Sequence, residues 1–170
     1  ITSMVCKQML NLDHVVFTGF THEPATKLAK ALIKILPKNQ SKLFFSDNGS
    51  TSVDVAIKMA LQFHYNTGNK RTKIIAFEDG FHGDTFGAMS VSGLSVYNGP
   101  FKDFSLDVER LPVPNAENIN EVKKQLVAHA TKGNVAAFVY EPLVQGAAAM
   151  KMHKPEHLNE LLEIAKRNDV

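Results

Sequence analysis

Three short stretches of this 170-residue chain collect residue types able to do chemistry. Phe45-Ser46-Asp47-Asn48-Gly49-Ser50-Thr51 reads as the end of a strand, a glycine turn and the start of a helix. A junction of that kind aims unpaired backbone N–H groups and the positive end of the helix at one point, which favours an anion such as phosphate. An ordinary strand-to-helix turn with a capped helix has the same pattern and binds nothing. Glu78-Asp79-Gly80-Phe81-His82-Gly83-Asp84-Thr85 follows a second apolar run. Gly80 and Gly83 free the backbone around Phe81, which can stack on a flat ring, and His82, which can contact it. From the residues alone the plainer reading is that Phe81 belongs to a core and His82 to a hydrogen-bonded loop. Glu141-Pro142 closes a third apolar run. In an open α/β sheet ligands collect at the carboxyl ends of the strands, so this carboxylate faces the same rim as the other stretches. It can polarise a cofactor or pair with a cation, and a surface salt bridge would use the same residue type.

Other motif matches fail on context. His153-Lys154-Pro155-Glu156-His157 fits the H-x-x-E-H zinc pattern, which needs both histidines on one helical face. Pro155 belongs in a first helical turn, which leaves His153 outside the helix, so no metal site is expected. Ser46-Asp47-Asn48 matches a β-lactamase triplet, but no S-x-x-K or K-T-G accompanies it. Asn48-Gly49-Ser50 is a glycosylation sequon that a cytosolic protein would not use. There is no Walker loop and no G-x-G-x-x-G.

The elements that must position these residues alternate. Pro24 opens a helix whose apolar residues Ala25, Leu28, Ala29, Leu32, Ile33 and Leu36 recur at helical spacing, and Pro37 stops it. Leu43-Phe44-Phe45 reads as a short strand. A helix capped by Ser50 or Thr51 follows, with Val53, Ala56, Ile57, Ala60, Leu61 and His64 on one face and Gly68 just past its end. Ile74–Phe77 reads as a buried strand, and 93–117, with Pro100, Pro112 and Pro114, as an excursion with little regular structure. A helix is expected over roughly 118–132, with Ile119, Val122, Leu126 and Val127 inward. Val135–Tyr140 is a strand, and Pro155 opens a last helix with Leu158, Leu161, Leu162 and Ala165 inward. Unbroken apolar strands alternating with helices predict an α/β fold, a mostly parallel sheet with helices on both faces.

Composition sets the class. Hydrophobic residues are 44% and charged residues 21%, as in an ordinary globular domain. The net charge of +2 is spread along the chain, without a basic stripe for nucleic acid. One cysteine, Cys6, leaves no intramolecular disulfide and suits a reducing cytoplasm. No apolar run reaches the roughly 18 residues of a membrane span, and no signal peptide is read at the start. The first residue is Ile, and a strand is expected to begin at Val170, so both ends read as cuts through a longer protein.

The segments Gly19–Ala25, Leu43–Gln62, Gly80–Val91 and Glu141–Ala147, in this order, resemble the class III (subgroup II) aminotransferases, and the resemblance covers nearly all of the chain. Most of that family carries Arg where this chain has Asp84. The Gly-Asp-Thr-Phe-Gly-Ala-Met-Ser form at 83–90 is similar to the branch that makes diaminopelargonic acid for biotin. The resemblance implies part of a fold type I large domain over 1–170, pyridoxal 5′-phosphate as cofactor, and a homodimer that builds the active sites. It implies that Gly49 and Ser50 hold the cofactor phosphate. Phe81 takes the ring-stacking position, Tyr in many members, with His82 beside it and Glu141 near the cofactor's polar edge. It implies small-molecule substrates: 8-amino-7-oxononanoate as acceptor, and S-adenosylmethionine or lysine as donor. A different class III substrate, ω-amino or ornithine-like, is the alternative, as is a non-catalytic fragment. The family's aspartate against the pyridine nitrogen, its Schiff-base lysine, its N-terminal substrate segment and its small domain have no counterpart here. No lysine lies in the family's lysine motif, so no catalytic residue is assigned and the chain alone is expected to be inactive.

Overall fold

The computed structural model describes residues 1–95 and 98–170. They divide into two units, Ile1–Phe45 and Ser46–Val170.

The first unit holds helices α1 (Thr2–Asn11) and α2 (Glu23–Ile35). Pro24 sits in the first turn of α2, as expected, and Glu23 pairs with Lys27 one turn on at 2.6 Å. The apolar stripe of α2 is only partly covered. Ala25, Ala29 and Leu32 are half-buried, whereas Leu28, Ile33 and Leu36 are exposed. A unit of 45 residues has too little volume to enclose a full helix face. Leu43-Phe44-Phe45 forms no strand, because no described segment pairs with it; Phe45 instead stacks on Phe17, with ring centroids 5.9 Å apart.

The second unit is a three-stranded parallel sheet between helices. Helix α3 (Gly49–Asn66) leads into β1 (Lys73–Phe77). A short α4 (Phe86–Val91) and a 3-10 turn (Gly99–Phe104) precede β2 (Val108–Leu111), and α5 (Ile119–Ala130) precedes β3 (Val135–Val139). The two-residue strands β4 (Val144–Gln145) and β5 (Lys151–Met152) form a small antiparallel ladder before α6 (Pro155–Arg167). The sheet order is β2-β1-β3, every pair parallel. The α/β reading therefore holds. The excursion over 93–117 is more regular than its prolines suggested, for it contains the 3-10 turn and β2; its positions 96–97 lie outside the described residues.

Both faces of the sheet are covered, as a parallel sheet requires. Ile75 and Phe77 of β1 point to one side, into a core with Leu111, Val122, Leu126 and Leu161. Ile74 and Ala76 point to the other side, against Ile57 of α3 and Val91 of α4. In α5 the buried positions are Ile119, Val122, Leu126 and Ala130, while Val127 is 41% exposed and not inward as expected. Helical geometry turns about 100° per residue, so 126 and 127 cannot share a face fully. Ala56 of α3 is likewise exposed. No described helix is long and apolar enough to cross a membrane.

Candidate functional site at the carboxyl rim of the sheet

Parallel pairing sets the carboxyl ends of β1 and β3 side by side, so the loops after Phe77 and Val139 leave the sheet at one rim. The start of α3 comes to the same place through contacts with the first of these loops. Helix α3 begins at least two residues earlier than expected, and its cap is Asn48, not Ser50 or Thr51. The Asn48 side chain accepts the Thr51 N–H at 3.0 Å, and the Thr51 hydroxyl accepts the Asn48 N–H at 3.3 Å. This reciprocal pair satisfies the third turn donor and leaves those before it. Among the described residues, the N–H groups of Gly49 and Ser50 donate to no protein acceptor. Asp47 is occupied outside the turn: it accepts from the Thr51 hydroxyl at 2.6 Å and the Asn48 amide at 3.0 Å, and those bonds hold its carboxyl below the usual range. Two free N–H groups, a serine hydroxyl and a helix start can accept an anion with the chemistry of a phosphate monoester.

The loop after β1 lies on this junction. Asp84 N–H donates to Ser50 Oγ at 3.1 Å, and Thr85 Oγ1 donates to the Ser50 carbonyl at 3.4 Å. Earlier in the same loop Phe81 is half exposed, with its N–H donated to Glu141 Oε1 at 2.8 Å. The other oxygen of Glu141 accepts the Gly146 N–H at 3.0 Å. Of the readings open for this carboxylate, no cation pairs with it among the described residues; two backbone donors occupy it. His82 is half-buried. Its N–H donates to the Ser92 hydroxyl at 2.9 Å, which in turn donates to the Ala88 carbonyl at 2.9 Å. Its Nε2 is buried and finds no partner among the described residues. Burial pushes the imidazole below its ordinary pKa, against the opposing charge of Glu141, so the ring is neutral at neutral pH. Gly49, Ser50, Phe81, His82 and Glu141 are thus gathered by direct ties: Ser50 to the 83–85 loop, and that loop to Glu141 through Phe81.

A cavity of about 590 Å³ opens against Phe81 and the loop around it. Phe81, Leu94, Ala147 and Ala148 give it apolar walls, and Asp79 and Asp84 stand on its lining. Sequence reasoning missed several supports of this wall. Arg110 of β2 donates to the Ser90 and Ser92 carbonyls at 2.8 and 2.9 Å, closing the end of α4. Gly93 lies so close to Asp79 that a Cβ there would stand 2.7 Å from the Asp79 Cα. The fully buried Gln145 donates to the Glu78 carbonyl at 2.9 Å. Only Gln145, two residues beyond the Glu141-Pro142-Leu143 turn, offered a signal, as an amide inside an apolar stretch. His153 lies outside α6, as Pro155 implied; its Nε2 meets the Glu141 carbonyl at 3.1 Å and its ring packs on Phe77. No cluster of three or more His, Cys, Asp or Glu able to hold a metal exists among the described residues.

Known proteins resemble this chain in sequence and fold. The family described as Aminotransferase class-III matches residues 1–170. A relative from Synechococcus elongatus, named adenosylmethionine-8-amino-7-oxononanoate aminotransferase, is 46% identical over 95% of this chain and 40% of its own length. A relative of the same name from Saccharomyces cerevisiae is 36% identical over 96% of this chain and 38% of its own. The crystal structure of the enzyme so named from Methanocaldococcus jannaschii superposes with a TM-score of 0.93 at 33% identity, covering 99% of this chain and 39% of that one. The chain therefore spans about 40% of the length of the curated relatives it matches.

Proposed function

This chain belongs to the class-III aminotransferase family, and from that premise we propose that the protein carrying it moves an amino group onto 8-amino-7-oxononanoate, giving 7,8-diaminononanoate for biotin. The observation that carries the proposal is the tie between two separate motifs at one rim, the Ser50 junction and the Phe81–Thr85 loop. The names and identities of the relatives and the Asp84 form of the loop support this branch of the family over ω-amino or ornithine-like substrates.

Pyridoxal 5′-phosphate, when bound, supplies a carbonyl that takes up and returns the amino group and a ring that withdraws electrons from the reacting carbon. The N–H groups of Gly49 and Ser50 and the Ser50 hydroxyl fit its phosphate. Phe81, half exposed and fixed through its own N–H, offers a ring face for stacking; Phe at this position keeps the stacking surface and removes a hydroxyl donor. Glu141 orients that residue through the backbone and keeps a negative charge at the rim. The neutral His82 fills the space behind the loop. No lysine here lies in the family's lysine motif, so we propose that these 170 residues form part of the cofactor-binding large domain and do not transaminate by themselves. S-adenosylmethionine is the proposed donor, and the protein is proposed to work as a cytoplasmic homodimer.

Assay of the full-length protein tests this reading. Turnover is expected with 8-amino-7-oxononanoate as acceptor, and faster with S-adenosylmethionine than with lysine as donor. Turnover confined to ω-amino or ornithine-like substrates would reject the branch, and absence of any cofactor-dependent transamination would reject the activity. In the same protein Ser50→Ala should weaken cofactor binding by about 1–3 kcal/mol, as for one hydrogen bond to a charged group.

A further inference from the structure

We infer that Gly83 is a positioning residue that turns the Ser50 hydroxyl into an outward donor for the anion; the inference rests on the reading of Ser50 as a phosphate ligand. Ser50 is the second residue of α3, and its Oγ accepts the Asp84 N–H at 3.1 Å. A hydroxyl that accepts from one side carries its own hydrogen elsewhere. Among the described residues no protein acceptor takes that hydrogen, so it is free to point out beside the N–H groups of Gly49 and Ser50. In this geometry the loop amide occupies one of the oxygen's two acceptor positions and turns the hydroxyl hydrogen away from the loop, toward a donating orientation, before any anion arrives.

The arrangement depends on how closely the loop lies on the helix. Gly83 has φ 128°, a conformation L side chains rarely adopt, and it is buried. A Cβ there would collide with Ser50 Oγ and stand 2.7 Å from Ser50 Cβ and 2.8 Å from its Cα. Two of those three atoms belong to the helix start itself, which the Asn48–Thr51 pair pins, so they cannot swing aside. With any side chain at 83 the loop must lift, and the Asp84 N–H leaves Ser50. The hydroxyl then loses its fixed orientation, although both residues that touch the anion are unchanged. Thr85 supports the same contact through its bond to the Ser50 carbonyl at 3.4 Å.

The test compares the affinity of the cofactor-free full-length protein for pyridoxal 5′-phosphate and for pyridoxal, which lacks the phosphate, by absorbance titration. Gly83→Ala is expected to weaken pyridoxal 5′-phosphate about tenfold, the size of one hydrogen bond to a charged group, with pyridoxal changed by less than about twofold. Ser50→Ala should act in the same sense. The double variant should be no weaker than the weaker single one, because both changes remove the same donated hydrogen bond. A Gly83→Ala protein with an unchanged ratio of the two affinities, or losses that multiply in the double variant, would overturn the inference while leaving Ser50 as a ligand. An unchanged ratio in Ser50→Ala would overturn the reading of Ser50 itself. If Gly83→Ala does not fold, Thr85→Val carries the test: a phosphate-specific loss of about threefold is expected, and an unchanged ratio overturns the inference.

Discussion

Glu141, two residues beyond β3, accepts the backbone N–H of Phe81 on Oε1 at 2.8 Å. Its second oxygen holds Gly146 N–H at 3.0 Å. One carboxylate thereby closes the loop after β1 and the turn after β3 on each other, and Phe81 is fixed by its backbone while its ring stays half exposed.

Removing that carboxylate should loosen both loops. Glu141→Ala leaves two backbone donors without their acceptor, and a loss of about 1–3 kcal/mol in unfolding free energy is expected by urea denaturation. Glu141→Gln keeps one good acceptor and should cost less. Equal stability of wild type and Glu141→Ala would show that water replaces the carboxylate without penalty.

His82 should give the fold a specific acid sensitivity. Its folded pKa lies below the ordinary 6.5 because burial disfavours the charged ring. The unfolded chain therefore binds the proton first as pH falls, so this contribution to stability is complete above about pH 6.5 and declines below it until the folded pKa is reached. Unfolding free energies measured between about pH 8 and about pH 5 should fall more steeply for wild type than for His82→Asn. Parallel profiles would contradict the assigned burial.

The cap of α3 is Asn48, and it can be separated from Ser50 by mutation. Asn48→Ala should destabilise the protein by about 1 kcal/mol, within the usual 0.5–2 kcal/mol for a lost N-cap. Ser50→Ala should change stability by less than that, since no capping bond runs through its side chain. Thermal or urea unfolding of the two variants distinguishes the assignments.

Neighbouring positions of α5 should respond very differently. Leu126 is fully buried between the helix and the sheet, so Leu126→Ala is expected to cost about 2–5 kcal/mol. Val127→Ala, at an exposed position, should stay within about 0.5 kcal/mol. Similar losses at both sites would mean that the helix is rotated from the orientation described.

The sheet and its covering helices were legible where local composition and tertiary burial agree. Ile74–Phe77 and Val135–Val139 are unbroken apolar runs because each is buried on both faces, and α5 and α6 carry their core residues at helical spacing. β2 was not legible. Val-Glu-Arg-Leu mixes charge with apolar residues, and its charged members serve partners elsewhere: Glu109 pairs with Lys73 at 2.6 Å, and Arg110 caps α4. The opposite failure is Leu43–Phe45, an apolar run that forms no strand because a strand exists only through its ladder.

At the rim the division is similar. By itself the sequence determined the residue types at each position, a helix start close to Gly49, read at least two residues late, and the loops beyond Phe77 and Val139, because glycine turns, caps and apolar runs act over a few neighbouring residues. Tertiary structure alone decided what those residues meet. The acceptor of Phe81 lies 60 positions away, and the donor to Ser50 lies 34 positions away. In both bonds the donor is a backbone amide. Every residue except proline carries one, so no residue type in the sequence could mark it. Only parallel pairing of β1 with β3, and a loop resting on α3 through a residue without a Cβ, bring those amides to Glu141 and Ser50.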